Sequence, residues 1–144
     1  MKEEYLSTLV FENYLVTELS YRQNRKFNFE TDELDVNFDI NAKVQLTNGV
    51  ESAVTLKVSC GEEDNPNCPF LIEVEIIGIF KFDGIEEDLA NMASKNAIAI
   101  LFPYVRALVS DLSSRSNVYP QYKLPLMNVA EFIKDNKKIE IVTQ

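Results

Sequence analysis

The chain has 144 residues, the size of one domain with a single hydrophobic core, and we expect one domain over residues 1–144. Its net charge of −9 disfavours nucleic acid as a partner, because acidic groups repel phosphate. The chain has no histidine, which excludes Ser-His-Asp and Cys-His catalysis and most catalytic zinc sites. We therefore expect no metal and no cofactor.

The ends of the chain and its cysteines indicate a soluble, cytoplasmic protein. The N-terminus is acidic and lacks the apolar core of a signal peptide. The apolar run Ile98–Val109 is shorter than the ~20 residues that span a bilayer, and it contains Pro103 and Arg106. Cys60 and Cys68 are expected to be free thiols of a reducing compartment, although a disulfide across their hairpin is geometrically possible.

Four strands are predicted. Residues 4–22 are predicted to form a long first strand with a bulge. A polar loop follows that carries Phe27 and Phe29, which are either tucked under the loop or used in binding. Residues 34–46 place an apolar side chain at every even position, which is the pattern of a strand with one buried face. An Asn-Gly turn leads into the third strand, which ends after Cys60. The fourth strand covers residues 70–82, and its far end is apolar on both faces.

Two helices follow the strands. The first leads into the run 98–115, whose polar positions form one narrow stripe, so it needs cover from the sheet on one side and from a second layer or subunit on the other. Pro103 predicts a kink or restart at residues 99–103. An apolar connector over 116–127 precedes Asn128, a predicted N-cap with Glu131 for a helix over 129–135. The tail 137–144 is a short extra strand or a frayed end.

The order of these elements predicts an α+β fold. It has a four-stranded, largely antiparallel sheet, with the long kinked helix and the short C-terminal helix on one face.

From Phe70 to Ile133 the sequence resembles the SecB family of bacterial protein-export chaperones. The resemblance rests on ordered motifs at family spacing. These are Phe70-Leu71-Ile72-Glu73-Val74, Gly78-Ile79-Phe80, Gly84-Ile85-Glu86, Ile100-Leu101-Phe102-Pro103-Tyr104-Val105-Arg106, Ser114-Arg115, Pro120-Gln121 and Asn128.

The resemblance implies a homotetramer, a dimer of dimers, in which the long helix makes the central contacts. We assign these contacts to Leu101, Tyr104, Val105, Leu108, Val109 and Leu112. It also implies binding of unfolded or precursor polypeptides, the clients, without ATP hydrolysis by the chaperone. By position, the client-binding residues are Val36, Phe38, Ile40, Phe132 and Ile133, and the apolar connector adds Tyr119, Tyr122, Leu124 and Leu126.

In the family, clients pass to the SecA translocase ATPase. The resemblance places the motor-docking residues at Leu71 and Glu73, with Glu18 on the first strand. Arg22 stands where a second carboxylate is expected, so SecA as the recipient is one alternative. The other is a SecB-like chaperone dedicated to one partner, such as an antitoxin or a phage protein. An enzyme is not expected, because the grouped carboxylates lie in turns and at a helix start, where they are solvated.

Overall fold

The computed structural model describes residues 9–47, 51–82, 93–117 and 121–143. The strands are β1 (Leu9–Gln23), β2 (Phe38–Thr47), β3 (Glu51–Gly61), β4 (Phe70–Phe82) and β5 (Ile139–Thr143). One turn of π-helix (Ala93–Ala97) leads into helix α1 (Ile98–Ser114), and helix α2 is Val129–Asp135. The predicted Asn-Gly turn and the predicted helical residues 85–92 lie outside the described residues.

The sheet has five strands in the order β1-β4-β3-β2-β5. The four predicted strands pair antiparallel as expected, and the prediction of a four-stranded sheet is incomplete by one strand. The tail forms the fifth strand, which lies parallel to β2. After β4, the two helices carry the chain across the sheet to the edge formed by β2. The tail pairs with that edge and runs in the same direction as β2. The backbone N–H of Ala42 donates to the carbonyl of Lys138 at 2.8 Å where the pairing begins.

The predicted strand over 34–46 begins later than its alternation suggests. Residues 34–37 form a loop that is bonded to the loop before β4 and to the end of β3: Asp35 N–H donates to the Asn67 carbonyl, and the Asn37 carbonyl accepts from Gly61 N–H. From residue 38 the alternation is confirmed. Strand β1 is bulged as predicted, with register shifts between Phe11 and Asn13 and between Val16 and Glu18.

The core lies between the sheet and α1. The even-numbered side chains from Ile40 to Leu46 of β2, from Ser52 to Cys60 of β3 and from Phe70 to Phe80 of β4 are buried. Leu101, Val105 and Val109 of α1 pack against them. Gly78 of β4 sets the approach of the helix, because a Cβ added there would lie 2.7 Å from Leu101 Cδ2. Cys60 and Cys68 are both free and buried.

The long helix changes from π-helical to α-helical winding between Ala97 and Ile98. This point lies immediately before residues 99–103, where a kink or restart was predicted. Pro103 is inside α1, where it has no N–H to donate to the residue four positions earlier. Helix α1 ends at Ser114, close to the predicted Arg115. For α2 both the bounds and the N-cap are confirmed: Asn128 Oδ1 accepts from Glu131 N–H at 3.1 Å.

One helical stretch of the described residues, Lys95–Ser114, is long and apolar enough to cross a membrane by length and composition. It is longer than the run 98–109 considered from sequence. Its inner face is in the core of the protein, and the core helix of a soluble protein passes the same test. We therefore describe this stretch as the core helix.

Candidate functional site

The last part of the connector, residues 121–127, is held against α1 by the polar stripe of that helix. Arg106 Nε donates to the Leu124 carbonyl at 2.7 Å. Ser113 Oγ accepts from Tyr122 N–H at 2.8 Å and itself donates to the Ser110 carbonyl at 2.9 Å. The two attachment points on α1 are seven residues apart, about 10 Å along the helix axis. The stripe thus fixes the start of an otherwise irregular segment at Tyr122 and Leu124, and the segment ends at Asn128, the N-cap of α2.

The fixed connector divides its apolar side chains between core and surface. Leu124 is fully buried, whereas Leu126 is 83% exposed. Tyr122 is half-buried, and its ring centroid lies 6.0 Å from that of Phe70, which also contacts Tyr21 at 6.1 Å. The predicted site residue Tyr119 lies outside the described residues.

Burial raises the pKa of Tyr122 to about 12, and the nearby thiols of Cys60 and Cys68 act in the same direction. A phenol is already protonated at neutral pH, so the shift extends the uncharged form to alkaline pH. The ring presents an apolar face with one hydrogen-bonding group.

A second group of predicted client residues lies where α2 crosses β2. The rings of Phe38 and Phe132 are 5.8 Å apart, and both side chains are half-buried, as is Val36. Ile40 and Ile133 are fully buried. The structure therefore brings Val36, Phe38 and Phe132 to the surface, whereas Ile40, Ile133 and Leu124 form the core beneath, where contact with a client would need a rearrangement.

The loop after β1 adds apolar surface that the sequence located only in part. It is anchored to the loop before β4, with Asn28 N–H donating to the Pro66 carbonyl at 2.8 Å. Phe27 is buried there, while Phe29 is largely exposed although the two rings remain 5.2 Å apart. Leu34 is also exposed, because the strand begins four residues later than its periodicity predicts.

The three predicted docking residues lie on the sheet face opposite the helices. Lys57 Nζ lies 3.3 Å from Glu18 Oε1 and 4.0 Å from Glu73 Oε2. The hydrogen bond to Glu18 and the surrounding carboxylates raise the pKa of Lys57. Leu71 is half-buried opposite Arg22, whose guanidinium pairs with Glu63 at 2.7 Å. The two docking carboxylates therefore share one ammonium group.

The six predicted helix contacts separate into two groups. Leu101, Val105 and Val109 are fully buried against the sheet of their own protomer, so in this structure they form its core and leave no surface for a partner. Tyr104 is exposed, and Leu108 and Leu112 are half-buried. This correction follows from the phase of the helix, whose sheet-facing side takes every third or fourth residue.

The exposed side of α1 continues onto the edge strand β1. The Tyr104 ring lies 4.6 Å from the Tyr14 ring. Val16 and Leu19 of β1 pair with core-facing residues of β4, yet they are 46% and 50% exposed. No described strand pairs with the other side of β1. Sequence reasoning missed these two residues, because an edge position cannot be read from the alternation of one strand.

Comparisons with known proteins agree on one family. The family model described as preprotein translocase subunit SecB matches residues 2–138. An uncharacterised protein of Methanocaldococcus jannaschii is 32% identical over 139 residues, which are 92% of this chain and 86% of that protein. The protein-export protein SecB of Acidithiobacillus ferrooxidans is 27% identical over 129 residues, with coverage of 86% and 87%.

A solved structure has the same fold. It is the complex of a SecB-like chaperone of Mycobacterium tuberculosis with a peptide from an antitoxin, and it matches with a TM-score of 0.66 at 16% identity. The match covers 83% of this chain and 88% of that chain. With the family model matching nearly the whole length, the chain belongs to the SecB family of chaperones.

Proposed function

We propose that this protein is an ATP-independent holdase that binds unfolded polypeptides on its helix-side apolar surface. The observation that carries the proposal is the connector, which two side chains of α1 fix so that Leu126 is almost fully exposed and Tyr122 half-exposed. A loop held in this way keeps apolar groups at the surface, where large exposed patches mark interaction sites.

Burial of a client's apolar side chains supplies the binding free energy, at about 25 cal/mol for each Å² removed from water. Such burial is non-directional, so many different sequences satisfy it. The surface with Tyr122 and Leu126 and the surface with Phe38 and Phe132 offer separate contacts to one extended chain. Several weak contacts on one client multiply through effective concentration.

A polypeptide client is supported by the M. tuberculosis relative, which was solved with an antitoxin peptide. That likeness favours the second candidate function, a chaperone dedicated to one partner. The named relative of A. ferrooxidans, a protein-export protein, favours the general holdase that hands precursors to the Sec motor in the cytoplasm. In the export case Glu18, Leu71 and Glu73 form the docking patch for SecA.

Assembly into a homotetramer, a dimer of dimers, is part of the proposal. The exposed side of α1 around Tyr104 and Leu108 lies next to the edge strand β1, whose outer side pairs with none of the described strands, and both surfaces are apolar. Their burial between protomers would give the long helix the second cover that its apolar circumference requires.

The test is suppression of aggregation of a chemically denatured protein on dilution, with native mass spectrometry of the same sample. We expect suppression at one assembly per client without ATP. Aggregation that proceeds unchanged at stoichiometric chaperone would refute the holdase. Capture of many unfolded proteins separates the general chaperone from the dedicated one, which would retain a single stoichiometric partner.

A further inference from the structure

Strand β5 covers part of the edge of β2, with which it pairs in parallel over Ala42–Leu46. Among the described strands, residues 38–41 of β2 pair with β3 alone. Where β5 begins, the N–H of Ala42 donates to the Lys138 carbonyl at 2.8 Å, and every second N–H after it points to the same side of β2. Without β5, these backbone groups would need water or another extended backbone as their partner.

Strand β5 is held weakly for a strand that is paired into a sheet. It has five residues, its pairing is the less stable parallel kind, and none of the side chains at 139–142 is fully buried. Ile141 is 47% exposed. Glu140 lies beside Lys43, which adds a weak attraction across the two strands, but β5 forms no ion pair among the described residues. Segments with so few buried contacts open locally while the rest of the fold stays intact.

The junction before β5 keeps the strand attached to the end of α2. Lys137 lies in the left-handed region at φ 55°, and the N–H groups of Lys137 and Lys138 donate to the carbonyls of Lys134 and Ile133. This is a Schellman motif, which closes the helix through its own hydrogen bonds and does not depend on β5. A β5 strand that leaves β2 therefore stays tethered beside it, at a high effective concentration for its return.

The edge under β5 continues the helix-side client surface. Phe38, whose ring lies against that of Phe132, is four residues before Ala42 on β2, which is about 13 Å along an extended strand. The parallel register places Ile139 and Ile141 on the same face of the sheet as the buried side chains of β2. Strand β5 thus presents apolar side chains at alternate positions, as an extended client segment does.

We propose that the edge of β2 under β5 is a binding site for an extended segment of an unfolded client, which joins the sheet in place of β5. The segment forms the backbone hydrogen bonds that β5 gives up, and its alternate apolar side chains take the places of Ile139 and Ile141. Between clients, β5 covers the edge and prevents its pairing with other chains. The inference rests on the proposed holdase function, and it adds main-chain pairing to apolar burial.

Hydrogen exchange of the full chain tests the displacement, with reduced and carboxymethylated α-lactalbumin as the unfolded client. When the client is bound, the amides of residues 139–143 should exchange at least about tenfold faster, whereas the amide of Ala42 and the alternate amides after it should stay protected. Unchanged protection of 139–143 would overturn the proposal, because the client would then bind elsewhere. Increased protection of 139–143 would also overturn it and would place the client on the outer edge of β5.

A reversible cross-link tests the same step through affinity. Lys43→Cys/Glu140→Cys puts two cysteines at exposed, neighbouring positions of β2 and β5, on strands about 4.8 Å apart, and leaves the net charge unchanged. The oxidised variant should bind the labelled client at least about tenfold more weakly than the same variant after reduction. Lys43→Cys alone cannot form this cross-link, so it is the matched control and should bind equally under both conditions. Equal affinity of the oxidised and reduced double variant would refute the displacement.

Weakening β5 should have the opposite effect. Ile141→Gly removes an exposed side chain with high strand propensity, so residues 139–143 should exchange faster without client, and the client should bind about two- to fivefold more tightly. Weaker binding by this variant would overturn the proposal, because β5 would then be part of the client surface and not its cover. Failure of the wild type to bind the client would refute the holdase itself, whereas a wild type that binds while the cross-link has no effect would refute the displacement alone.

Discussion

At the scale of single residues, the polar groups of α1 determine where client-binding side chains lie. Ser113 is buried and Arg106 is half-buried on a largely apolar helix. Each forms a hydrogen bond with the backbone of the connector. Buried polar groups need partners, so these residues specify one position of the connector rather than adding affinity themselves. Leu126 follows two residues after the second attachment point, and its side chain lies at the surface.

Replacing Tyr122 with serine should weaken client binding and leave the assembly intact. The change removes an aromatic surface that contributes on the order of 1–3 kcal/mol when buried. Tyr122→Phe keeps that surface and should bind like the wild type. The measurement is the affinity for a labelled unfolded client, with native mass as the check on assembly. Equal losses in the two variants would assign the effect to the hydroxyl and not to the apolar ring.

The buried thiol of Cys60 predicts a loss of stability at alkaline pH. Burial raises its pKa from 9.0 to about 12, with Cys68 acting in the same direction. The unfolded chain thus releases this proton above pH 9 while the folded chain retains it, and the free energy of unfolding falls as pH rises from 9 toward 12. One such group contributes a slope of up to about 1.4 kcal/mol per pH unit.

Urea unfolding at pH 8, 9 and 10 measures that slope. Cys60→Ala removes the titrating group and should flatten the decline, whatever its effect on stability at pH 8. The comparison of slopes is needed because the substitution also leaves a cavity. Identical slopes for the variant and the wild type would show that the thiol is not the group responsible.

At the scale of elements, the contact between α1 and β4 is set by one position without a side chain. Gly78→Ala places a Cβ 2.7 Å from Cδ2 and 3.0 Å from Cδ1 of Leu101. The end of the leucine moves to relieve the contact, so we expect a loss of about 1–3 kcal/mol, which urea unfolding measures. In a Leu101→Ala background both methyl groups are absent, and the same glycine change should cost less. The added Cβ also lies 2.8 Å from Cε2 of Phe80 on the same strand. Additive losses would therefore assign the cost to the Phe80 ring and not to the contact with Leu101.

Local patterns predicted most elements and few of the exposed surfaces. The alternation over 34–46 and the cap at Asn128 depend on neighbours in sequence, so both were largely readable. For the tail, a short strand and a frayed end both stayed open, because its partner β2 is about a hundred positions away and only the crossing helices bring the two together. The same applies to the client residues: one alternating strand places Phe38 and Ile40 on one face, but the position of α2 decides that Phe38 is partly exposed and Ile40 is not.

At the scale of the whole molecule, the protein presents apolar surface on three sides. These are the helix-side client surface, the exposed side of α1 with the edge of β1, and the outer sheet face around Leu15, Ile77 and Ile79. Soluble monomers rarely leave this much apolar surface uncovered. A tetramer that buries the second surface would leave the client surface free, so that assembly and client binding use different residues.

Two substitutions one position apart on α1 distinguish the protomer core from the assembly contact. Tyr104→Asp changes an exposed residue, so it should leave the protomer folded and reduce the native mass from four times the 16.5 kDa chain to a smaller assembly. Val105→Asp puts a carboxyl group into the sheet-facing core, where an unpaired charge costs several kcal/mol, and it should unfold the protomer. Circular dichroism and native mass spectrometry report the two outcomes. A wild-type protein that is monomeric, or a Tyr104→Asp variant that remains a tetramer, would contradict the assignment of Tyr104 to the interface. A folded Val105→Asp variant would contradict the position of Val105 in the core.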